Sequence, residues 1–334
     1  LKYLKWSYDS IRKNLGYRHE ICWADDFSDD GTWEWMQEIA EKDKNVKIHR
    51  NDGPTRIGHT ILYDTLINDY ATNDIVMIYH ADMYACPKLD EEVLKHLEPG
   101  KVVSATRIEP PLHPDGPEKI LKDFGIEPEE FDEFGLMRFL DEGVDYSKKP
   151  TNGIFAPWMV YKKEFLDMGG HDPILKSCRE DSDVFNRMQL DGFTFKQPWN
   201  SLVYHLTGRG AGSFSGDEER HKEWQKEMQN STKEFIRKWG TGVQHDNLLK
   251  PIVSPFYNKG IVLKNATYEL LELLEPWCTN IYTDGFLKEY LEKENDNTEY
   301  TLGWRLREFK EIPQNDIIIF IDGSKFTQED FNQF

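Results

Sequence analysis

The 334-residue chain lacks the features that define membrane-spanning and repetitive proteins. No apolar run approaches the ~20 residues that a membrane-spanning helix needs, and no apolar segment typical of a signal peptide follows the N-terminus. Low-complexity tracts and short-period repeats are also missing. We therefore expect a soluble protein without a membrane span. The first residue is Leu, which is typical of a trimmed N-terminus.

Cysteine is scarce: the chain has four, and they are Cys22, Cys86, Cys178 and Cys278. None of them has the CxxC spacing of a structural zinc site, and their scatter argues against a disulfide framework. A reducing compartment is the simplest interpretation, so we expect a cytoplasmic location.

Basic residues are outnumbered, with 41 Lys and Arg against 60 Asp and Glu, which gives a formal net charge of -19. A nucleic acid is therefore disfavoured as a partner, because no basic surplus exists to displace counterions. The acidity is more typical of a solubility effect than of a function. The 38% hydrophobic and 13% aromatic content predicts a folded chain, long enough for two domains.

The first hundred residues alternate short apolar runs with amphipathic stretches. Strands are predicted at residues 21–24, 46–48 and 75–79, and helices around residues 33–40 and 61–67. This alternation predicts a parallel sheet with helices on both faces. Ser28 and Asp29 are candidates for the N-cap of the first of these two helices. Ligands gather at the carboxyl ends of the strands of such sheets, which is where the first two acidic clusters fall.

Residues 109–150 are rich in Pro, Gly and acidic residues, which predicts a loop-rich excursion with one short helix. Further elements are then expected: a strand at 154–161, a helix at 183–190 and a long surface helix at 217–239. A second small α/β pattern begins near Pro251. The predicted domains are therefore residues 1–245 and residues 246–334.

Three polar clusters carry the candidate chemistry. The first, residues 25–32, joins a strand to a helix, where an N-terminus favours anions such as phosphate; an acidic turn with an N-cap is the alternative. The second ends in Asp82, whose carboxylate suits Mn²⁺ or Mg²⁺, although a lone Asp after a strand is more often a cap. The third, residues 180–187, offers a general base at a helix start, or only carboxylates that offset the helix dipole. His205 follows it on an apolar strand.

These clusters resemble, in order, the motifs of the family 2 glycosyltransferases of the GT-A fold. The resemblance covers roughly residues 1–216, and three sets of residues carry it. They are Asp25, Asp26, Ser28, Asp30, Gly31 and Thr32; then Asp82; and then Gly169, Gly170, Asp172, Glu180, Asp181, Asp183, Arg187 and His205. Two departures from the family pattern are Phe27, in place of a small residue, and His80, in place of the first Asp of the Asp-x-Asp motif.

The resemblance implies a role for each matching position. Asp181 would be the catalytic base, and Asp82 and His205 would hold the metal. Trp158 would contact the acceptor by stacking on a sugar, although a place in the core is equally expected. The positions implied for binding the nucleotide sugar are Asp25, Asp26, Arg56, His59, His80, Glu180 and Arg209. Arg209 belongs to the segment 208–213, which resembles a loop that closes over the diphosphate.

The implied protein is an α/β enzyme with the GT-A fold, a Rossmann-like mixed sheet flanked by helices, and a smaller C-terminal α/β unit. Its expected reaction is inverting transfer of a sugar (a hexosyl group) from a nucleotide-diphosphate sugar to a hydroxyl of a glycan or similar acceptor, with Mn²⁺ or Mg²⁺. Two alternatives stay open at this point. One is a degenerate module that binds a sugar nucleotide or glycan without turnover, and the other is a sugar nucleotidyltransferase, although the Gly-rich, basic loop of that class is not visible.

The resemblance stops at both ends of the chain. The family begins with a strand before the helix predicted here at residues 3–15, and its absence is consistent with a trimmed N-terminus. Residues 251–260 look like such a first strand, and residues 315–323 look like an Asp-x-Asp strand. The C-terminal part is therefore either an accessory α/β unit, which we favour, or a second, incomplete GT-A-like half.

Overall fold

The computed structural model describes residues 1–209 and 218–333. The described residues divide into two compact units: unit 1 spans 1–209, 218–225 and 245–253, and unit 2 spans 226–244 and 254–333. Whether the functional boundary lies at 245/246 stays a prediction. In the part of the chain that the structure describes, no helix combines the length and the apolar character that crossing a membrane requires.

Unit 1 contains short helices between the strands of three small sheets. The helices are α1 Lys2–Asn14, α2 Thr32–Lys42, α3 His59–Thr65, α4 Leu89–Leu94, α5 Glu133–Glu142, α6 Lys162–Asp167 and α7 Glu180–Leu190. The strands are β1 Ile21–Asp26, β2 Val46–Asn51, β3 Ile75–Ile78, β4 Met83–Ala85, β5 Lys101–Ser104, β6 Thr106–Glu109, β7 Lys119–Leu121, β8 Trp158–Tyr161, β9 Thr194–Lys196 and β10 Leu202–His205. A long helix, α8 Glu218–Trp239, has most of its residues in unit 2.

The expected parallel pairing holds for β1 and β2, whose register aligns Ile21 with Val46 and Asp26 with Asn51. The strand predicted at 75–79 behaves differently, because β3 pairs with β8 in an antiparallel ladder. The two larger sheets have the orders β3-β8-β5-β9 and β4-β10-β6-β7, and both are mixed. The expected mixed α/β fold is thus confirmed. The parallel sheet predicted from the strand–helix alternation is not, because both larger sheets also contain antiparallel pairs.

The core of unit 1 lies beneath the first of these four-stranded sheets. Its centre is built from completely buried aliphatic and aromatic side chains of β5, β8, α6 and α7, among them Val102, Trp158, Phe165 and Val184. Burial of such side chains contributes about 1.5–3 kcal/mol each. Two strands and two helices that lie far apart in the sequence are thereby fixed against each other, which positions the start of α7.

The segment predicted as a loop-rich excursion has its own packing. The short helix expected there is α5, and its Leu136 and Leu140 pack with Tyr84 of β4 and Tyr204 of β10. Phe131 stacks on Tyr204, with ring centroids 5.5 Å apart. The excursion is therefore anchored on the sheet that carries β6 and β10.

The prediction of Ser28 or Asp29 as the N-cap of α2 is wrong. The N-cap is Gly31, in a left-handed conformation with φ 82° and without a side-chain capping bond. Asp30 instead accepts hydrogen bonds from the backbone N–H and the hydroxyl of Thr32. The helix starts later than expected because residues 27–30 belong to the turn that follows β1.

Unit 2 is an α/β layer around a parallel four-stranded sheet of order β13-β12-β11-β14. Its strands are β11 Lys259–Lys264, β12 Asn280–Thr283, β13 Leu306–Glu308 and β14 Ile317–Asp322. Its helices, besides most of α8, are α9 Tyr268–Leu274, α10 Leu287–Glu294, α11 Leu302–Arg305 and α12 Gln328–Asn332. The strand expected at 251–260 begins only at Lys259. The strand expected within 315–323 is present as β14.

Candidate active site

The residues of the candidate site lie where strands β1, β2, β3, β6 and β10 end and where α7 begins. Asp26 interacts electrostatically with His59, and His59 binds Glu180. Asp82 lies beside His205, and His205 binds Glu109. The rings of His80 and His205 lie 6.0 Å apart. The structure therefore brings together residues from all three clusters of the sequence.

Asp25 and Asp26 end β1 and are both engaged by the protein. Asp25 is buried and lies 3.3 Å from Nε of Arg50, at the matching position of β2. Asp26 accepts three hydrogen bonds, from the Asn51 side chain at 2.7 Å and from the backbone N–H groups of Ile57 and Gly58 at 3.0 and 2.9 Å. Asp26 therefore orders the loop that leads from β2 into α3.

That loop carries Arg56, whose side chain is exposed. Among residues 1–209 and 218–333, no ion pair or hydrogen bond of the Arg56 guanidinium is observed, so the charge is available to an anionic ligand. Beside the loop lies an open depression of about 470 Å³. Its lining includes Phe27, Asp29 and Arg50. Phe27, at the position where a small residue was expected, is 40% exposed and has a φ of 59°.

His59 and Glu180 form a pair across the site. His59 Nε2–H donates to Oε1 of Glu180 at 2.9 Å. Burial disfavours the charged ring, but Glu180 and the neighbouring carboxylates outweigh it and raise the pKa of His59. The same bond, against the effect of burial, lowers the pKa of Glu180. The pair fixes the first residue of α7 against the first residue of α3.

Asp181 is the next residue of α7 and has the opposite electrostatic environment. Burial, followed by the negative charge of Glu180, raises the pKa of Asp181 to about 7. His59, Arg107 and Trp158 oppose this rise, because a positive charge or an N–H dipole favours the carboxylate. A carboxyl group with a pKa near neutrality is suited to proton transfer at physiological pH.

Asp183 and Arg187, from the same cluster, stabilise the position of α7. Asp183 is fully buried and accepts from Nε of Arg187 at 2.8 Å, one helical turn away. The other guanidinium nitrogens of Arg187 donate to the carbonyls of Met168 and Gly170 at 3.4 and 2.7 Å. Asp183 and Arg187 therefore hold α7 against the turn before it. The charged residues of this segment thus differ in role: Glu180 and Asp181 belong to the candidate site, and Asp183 and Arg187 stabilise the helix position.

Trp158 corrects one prediction. Its side chain is completely buried and packs against Phe165, His171 and Phe185, so its ring has no face open for stacking on a sugar. The alternative, a core residue, describes its position. Its indole N–H makes no hydrogen bond of regular geometry with the described residues, yet it lies close enough to Asp181 to lower the pKa of that carboxyl.

His80, Asp82 and His205 form a compact cluster of potential metal ligands. One donor atom from each residue can be chosen so that all three lie within 4.8 Å of one another. Nε2 of His205 lies 3.5 Å from Oδ1 of Asp82. The set of two imidazoles and one carboxylate is chemically suited to a divalent transition metal. Both strand-end residues expected as ligands, Asp82 and His205, belong to the cluster, and His80 joins them.

The three side chains differ in charge. Burial lowers the pKa of His80 to about 4, which leaves the ring neutral with a free lone pair. Burial works against the ionised form of Asp82, but the His205 ring outweighs it and holds the pKa of Asp82 well below its usual range. Burial also opposes a charged His205, but Asp82 and Glu109 raise the pKa of His205 to about 9.

Arg209 lies at the edge of the described residues. Its backbone N–H donates to Oδ2 of Asp82 at 3.1 Å, and its guanidinium lies 3.6 Å from Glu127. The structure therefore places Arg209 next to the metal-ligand cluster. Residues 210–213, the rest of the segment expected to close over a diphosphate, lie outside the described residues.

The sequence motifs did not single out three residues of the site: Arg107, Glu109 and Lys119. Glu109 is buried at the end of β6, and its own pKa, which burial would raise, is lowered to about 2 by His205 and Arg107. The available signal was the same as for the other clusters, a carboxylate directly after an apolar strand. It was obscured because Glu109 was assigned to the start of the Pro-rich excursion.

The geometry agrees with what sequence comparison shows. The model of the family described as "Glycosyl transferase family 2" matches residues 1–167, half of the chain. The protein belongs to glycosyl transferase family 2. The GT-A fold expected for this family accords with the mixed sheets and flanking helices of the structure. No sequence among the curated proteins matches the chain.

Three solved structures are among those similar to this family 2 member. GalNAc-T7 with UDP, GalNAc and Mn²⁺ has 13% identity over 70% of this chain, with a TM-score of 0.49. The mannosyltransferase PcManGT from Pyrobaculum calidifontis, in complex with GDP-Man and Mn²⁺, has 18% identity over 71% of this chain and a TM-score of 0.45. TarS of S. aureus has 13% identity over 71% of this chain and a TM-score of 0.44.

This chain covers 44%, 59% and 41% of those three proteins, which is about half of their length. At these identities and TM-scores, the similarity assigns no substrate and no residue role to the chain. The roles of its residues therefore have to be argued from its own geometry.

Proposed function

We propose that the protein is a metal-dependent glycosyltransferase that moves a hexosyl group, with inversion, from a nucleotide-diphosphate sugar to a hydroxyl of a glycan or similar acceptor. One observation carries the proposal. Asp181, a half-buried carboxyl with a pKa raised to about 7, lies in the same strand-end site as the cluster of His80, Asp82 and His205. A base and a metal-ligand set are the two parts that this reaction needs.

His80, Asp82 and His205 would hold the divalent metal. Two imidazole nitrogens and one carboxylate oxygen suit Mn²⁺ better than Mg²⁺, which prefers oxygen ligands alone. Three protein ligands leave positions for oxygens of the donor diphosphate. When bound, the metal supplies charge stabilisation for the leaving nucleoside diphosphate.

Asp181 acts as the general base in this proposal. Its carboxylate accepts the proton of the acceptor hydroxyl while that oxygen forms a bond to the anomeric carbon and the bond to the diphosphate breaks. Inversion follows from such a single displacement. The Trp158 N–H and the Arg107 charge lower the pKa of Asp181 and so help to keep it ionised, while burial keeps it basic enough to take the proton.

The donor would lie along the ends of β1 and β2. The depression lined by Phe27, Asp29 and Arg50 has room for a nucleobase. Asp26, with Asp25 beside it, holds the loop that presents Arg56. Arg56, His59 and Arg209 would supply positive charge towards the diphosphate, and Glu180 orients His59.

A thermal-shift panel tests donor binding. UDP-, GDP- and dTDP-sugars are added to the protein with and without Mn²⁺, and the midpoint of unfolding is measured. We expect stabilisation by the sugars of one nucleotide, and only when Mn²⁺ is present, because a metal held by His80, Asp82 and His205 would supply positive charge for the diphosphate. No response to any donor would contradict the proposal.

Asp181→Asn then separates turnover from binding. The variant should lose transfer or donor hydrolysis by roughly 10²–10⁴-fold, because a general base contributes about this much. Its stabilisation by the donor should be retained. Asp191→Asn, at the exposed far end of the same helix, is the matched control and should keep full activity. Equal activity of the wild type and Asp181→Asn would contradict the role of Asp181 as the base. Donor binding by a wild type that shows no turnover would favour a non-catalytic binding module.

A further inference from the structure

The pairing of two strands places Glu109 beside His205. Strands β6 and β10 are parallel, with Thr106 opposite Leu202 and Ile108 opposite Tyr204. The next position along both strands brings the side chains of Glu109 and His205 to the same edge. Nδ1–H of His205 donates to Oε1 of Glu109 at 2.9 Å, and both side chains are less than a tenth exposed.

This bond determines where the other ring nitrogen lies. With Nδ1 directed at Glu109, Nε2 of His205 is directed at the cluster, 3.5 Å from Oδ1 of Asp82. A carboxylate accepts hydrogen bonds and cannot donate one, so it requires a proton on Nδ1. In the neutral ring, the lone pair then resides on Nε2, the nitrogen that faces Asp82.

Glu109 is itself held in place by two buried cations. Arg107 Nη1 lies 3.2 Å from its Oε1, and Lys119 Nζ donates to its Oε2 at 3.0 Å. Glu118 lies at 3.7 Å from Arg107 and at 4.0 Å from Lys119 and completes the network, but its side chain makes no contact with His205 among the described residues. The two cations offset the two carboxylates, so Glu109 stays ionised in a position fixed by contacts on both of its oxygens.

We propose that Glu109 is a positioning residue of the metal site, and that its bond to Nδ1–H holds the His205 ring in the tautomer and orientation that present Nε2 to the metal. The inference rests on the proposed function, because it takes His80, Asp82 and His205 as the metal ligands. A carboxylate bonded to the second nitrogen of a ligating imidazole orients the ring and increases its basicity as a ligand. Removing such a partner weakens metal binding by about 10- to 100-fold.

The measurement is the dissociation constant of Mn²⁺, obtained from the electron paramagnetic resonance signal of free Mn²⁺ in titrations of the whole chain. Glu109→Leu removes the hydrogen-bond acceptor, and Glu109→Gln keeps an acceptor oxygen but removes the charge. We expect about 10- to 100-fold weaker binding for Glu109→Leu and a smaller loss, about three- to tenfold, for Glu109→Gln.

Glu118→Gln is the matched control, because it alters the same buried network without touching His205. It should bind Mn²⁺ with the affinity of the wild type. Thermal unfolding of each variant shows whether it is folded, and if Glu109→Leu does not fold, the comparison of Glu109→Gln with Glu118→Gln decides.

Two results would overturn the inference. One is wild-type Mn²⁺ affinity in a folded Glu109 variant, and the other is an equal loss in Glu118→Gln, which would indicate a general electrostatic effect of the network. A wild-type protein that binds no Mn²⁺ would instead contradict the metal site of the proposed function, and the inference with it. The two failures are therefore distinguishable.

Discussion

At the scale of single residues, two adjacent carboxyl groups at the start of one helix have opposite properties. Glu180 has a histidine partner and a lowered pKa, whereas Asp181 has a pKa raised to about 7 by burial and by the charge of Glu180. Two like charges this close favour protonation of one of them. Glu180 therefore orients His59, whereas Asp181 can exchange a proton.

The pH dependence of the reaction follows from the pKa of Asp181. In the proposed mechanism the carboxylate is the active form, so the turnover number should fall as pH decreases through about 7 and should level off above it. The measurement is the turnover number from pH 5 to 9 at saturating donor, acceptor and Mn²⁺, which keeps metal binding from limiting the rate. Asp191→Asn should give the same profile as the wild type.

An ordinary surface carboxyl group would give a different profile. If Asp181 were ionised throughout, the acid limb would lie near pH 4, the usual range of Asp. An activity that stays constant from pH 5 to 9 would therefore contradict the role of Asp181 as a base with a raised pKa.

At the scale of elements, the start of α3 and the segment that leads into α7 are in direct contact. The backbone N–H and the hydroxyl of Thr60 both donate to the carbonyl of Lys176. Gly58 packs against the same residue, and a Cβ added to it would lie 2.5 Å from the Lys176 carbonyl oxygen. This contact connects the loop between β2 and α3, which carries Arg56, to the segment that leads into the helix of Asp181.

Gly58→Ala should therefore destabilise the fold and reduce activity. Gly58 has φ 89° and ψ 153°, a combination essentially confined to glycine, which costs an alanine roughly 1–3 kcal/mol, and the clash with Lys176 adds roughly 1–3 kcal/mol. The displaced segment 176–179 leads directly into Glu180 and Asp181, so transfer should fall together with the free energy of unfolding. Urea denaturation and the turnover number of the folded protein measure the two effects.

Gly192→Ala is the matched control for this prediction. Gly192 has a nearly identical φ of 88°, but nothing lies within 4 Å of an added Cβ. It should lose only the ~1 kcal/mol of backbone strain and keep its activity. Equal effects of the two substitutions would show that the contact between Gly58 and Lys176 is unimportant.

At the scale of the whole molecule, the chain forms two units with different chemistry. The residues of the candidate site lie in unit 1. Unit 2 contains a buried ionic network in which Arg237 donates to Glu275 at 2.6 Å and to Glu294 at 2.9 Å and also pairs with Glu234. The Arg237 side chain is completely buried, so its charge depends on these carboxylates.

Arg237→Leu should destabilise unit 2 by about 3–5 kcal/mol, because the substitution leaves buried carboxylates without a partner. Hydrogen exchange should become faster in β11 to β14 and stay unchanged in β1 to β10. Lys288→Ala is the control, since that lysine is 90% exposed and its pair with Glu292 at 3.6 Å contributes little. An equal loss of protection from hydrogen exchange in both units would contradict the prediction that Arg237 stabilises unit 2 alone.

The local elements and the order of the polar clusters could be predicted from the sequence. The strands that end at Asp26 and near His80 follow from short apolar runs, and the motifs of the family indicated Asp82, Asp181 and His205. The predictions of strands and helices succeed because their signals are local. The roles of Asp82, Asp181 and His205 stay predictions, which the tendency of ligands to collect where strands end supports. The strand boundaries were less accurate, as at β8, which begins at Trp158 and not at residue 154.

Strand pairing and burial were decided only by the tertiary structure. The antiparallel pairing of β3 with β8 and the contact of Glu109 with His205 join residues at least 80 positions apart. The burial of Trp158 depends on its packing against Phe165, His171 and Phe185, which belong to other elements or loops. No local pattern contains such information, because a side chain's solvation and charge environment depend on what packs against it. The same reason separates Asp181 from Asp183, although both are acidic residues of one motif: Asp181 has its pKa raised to about 7 by its surroundings, while Asp183 accepts a hydrogen bond from Arg187.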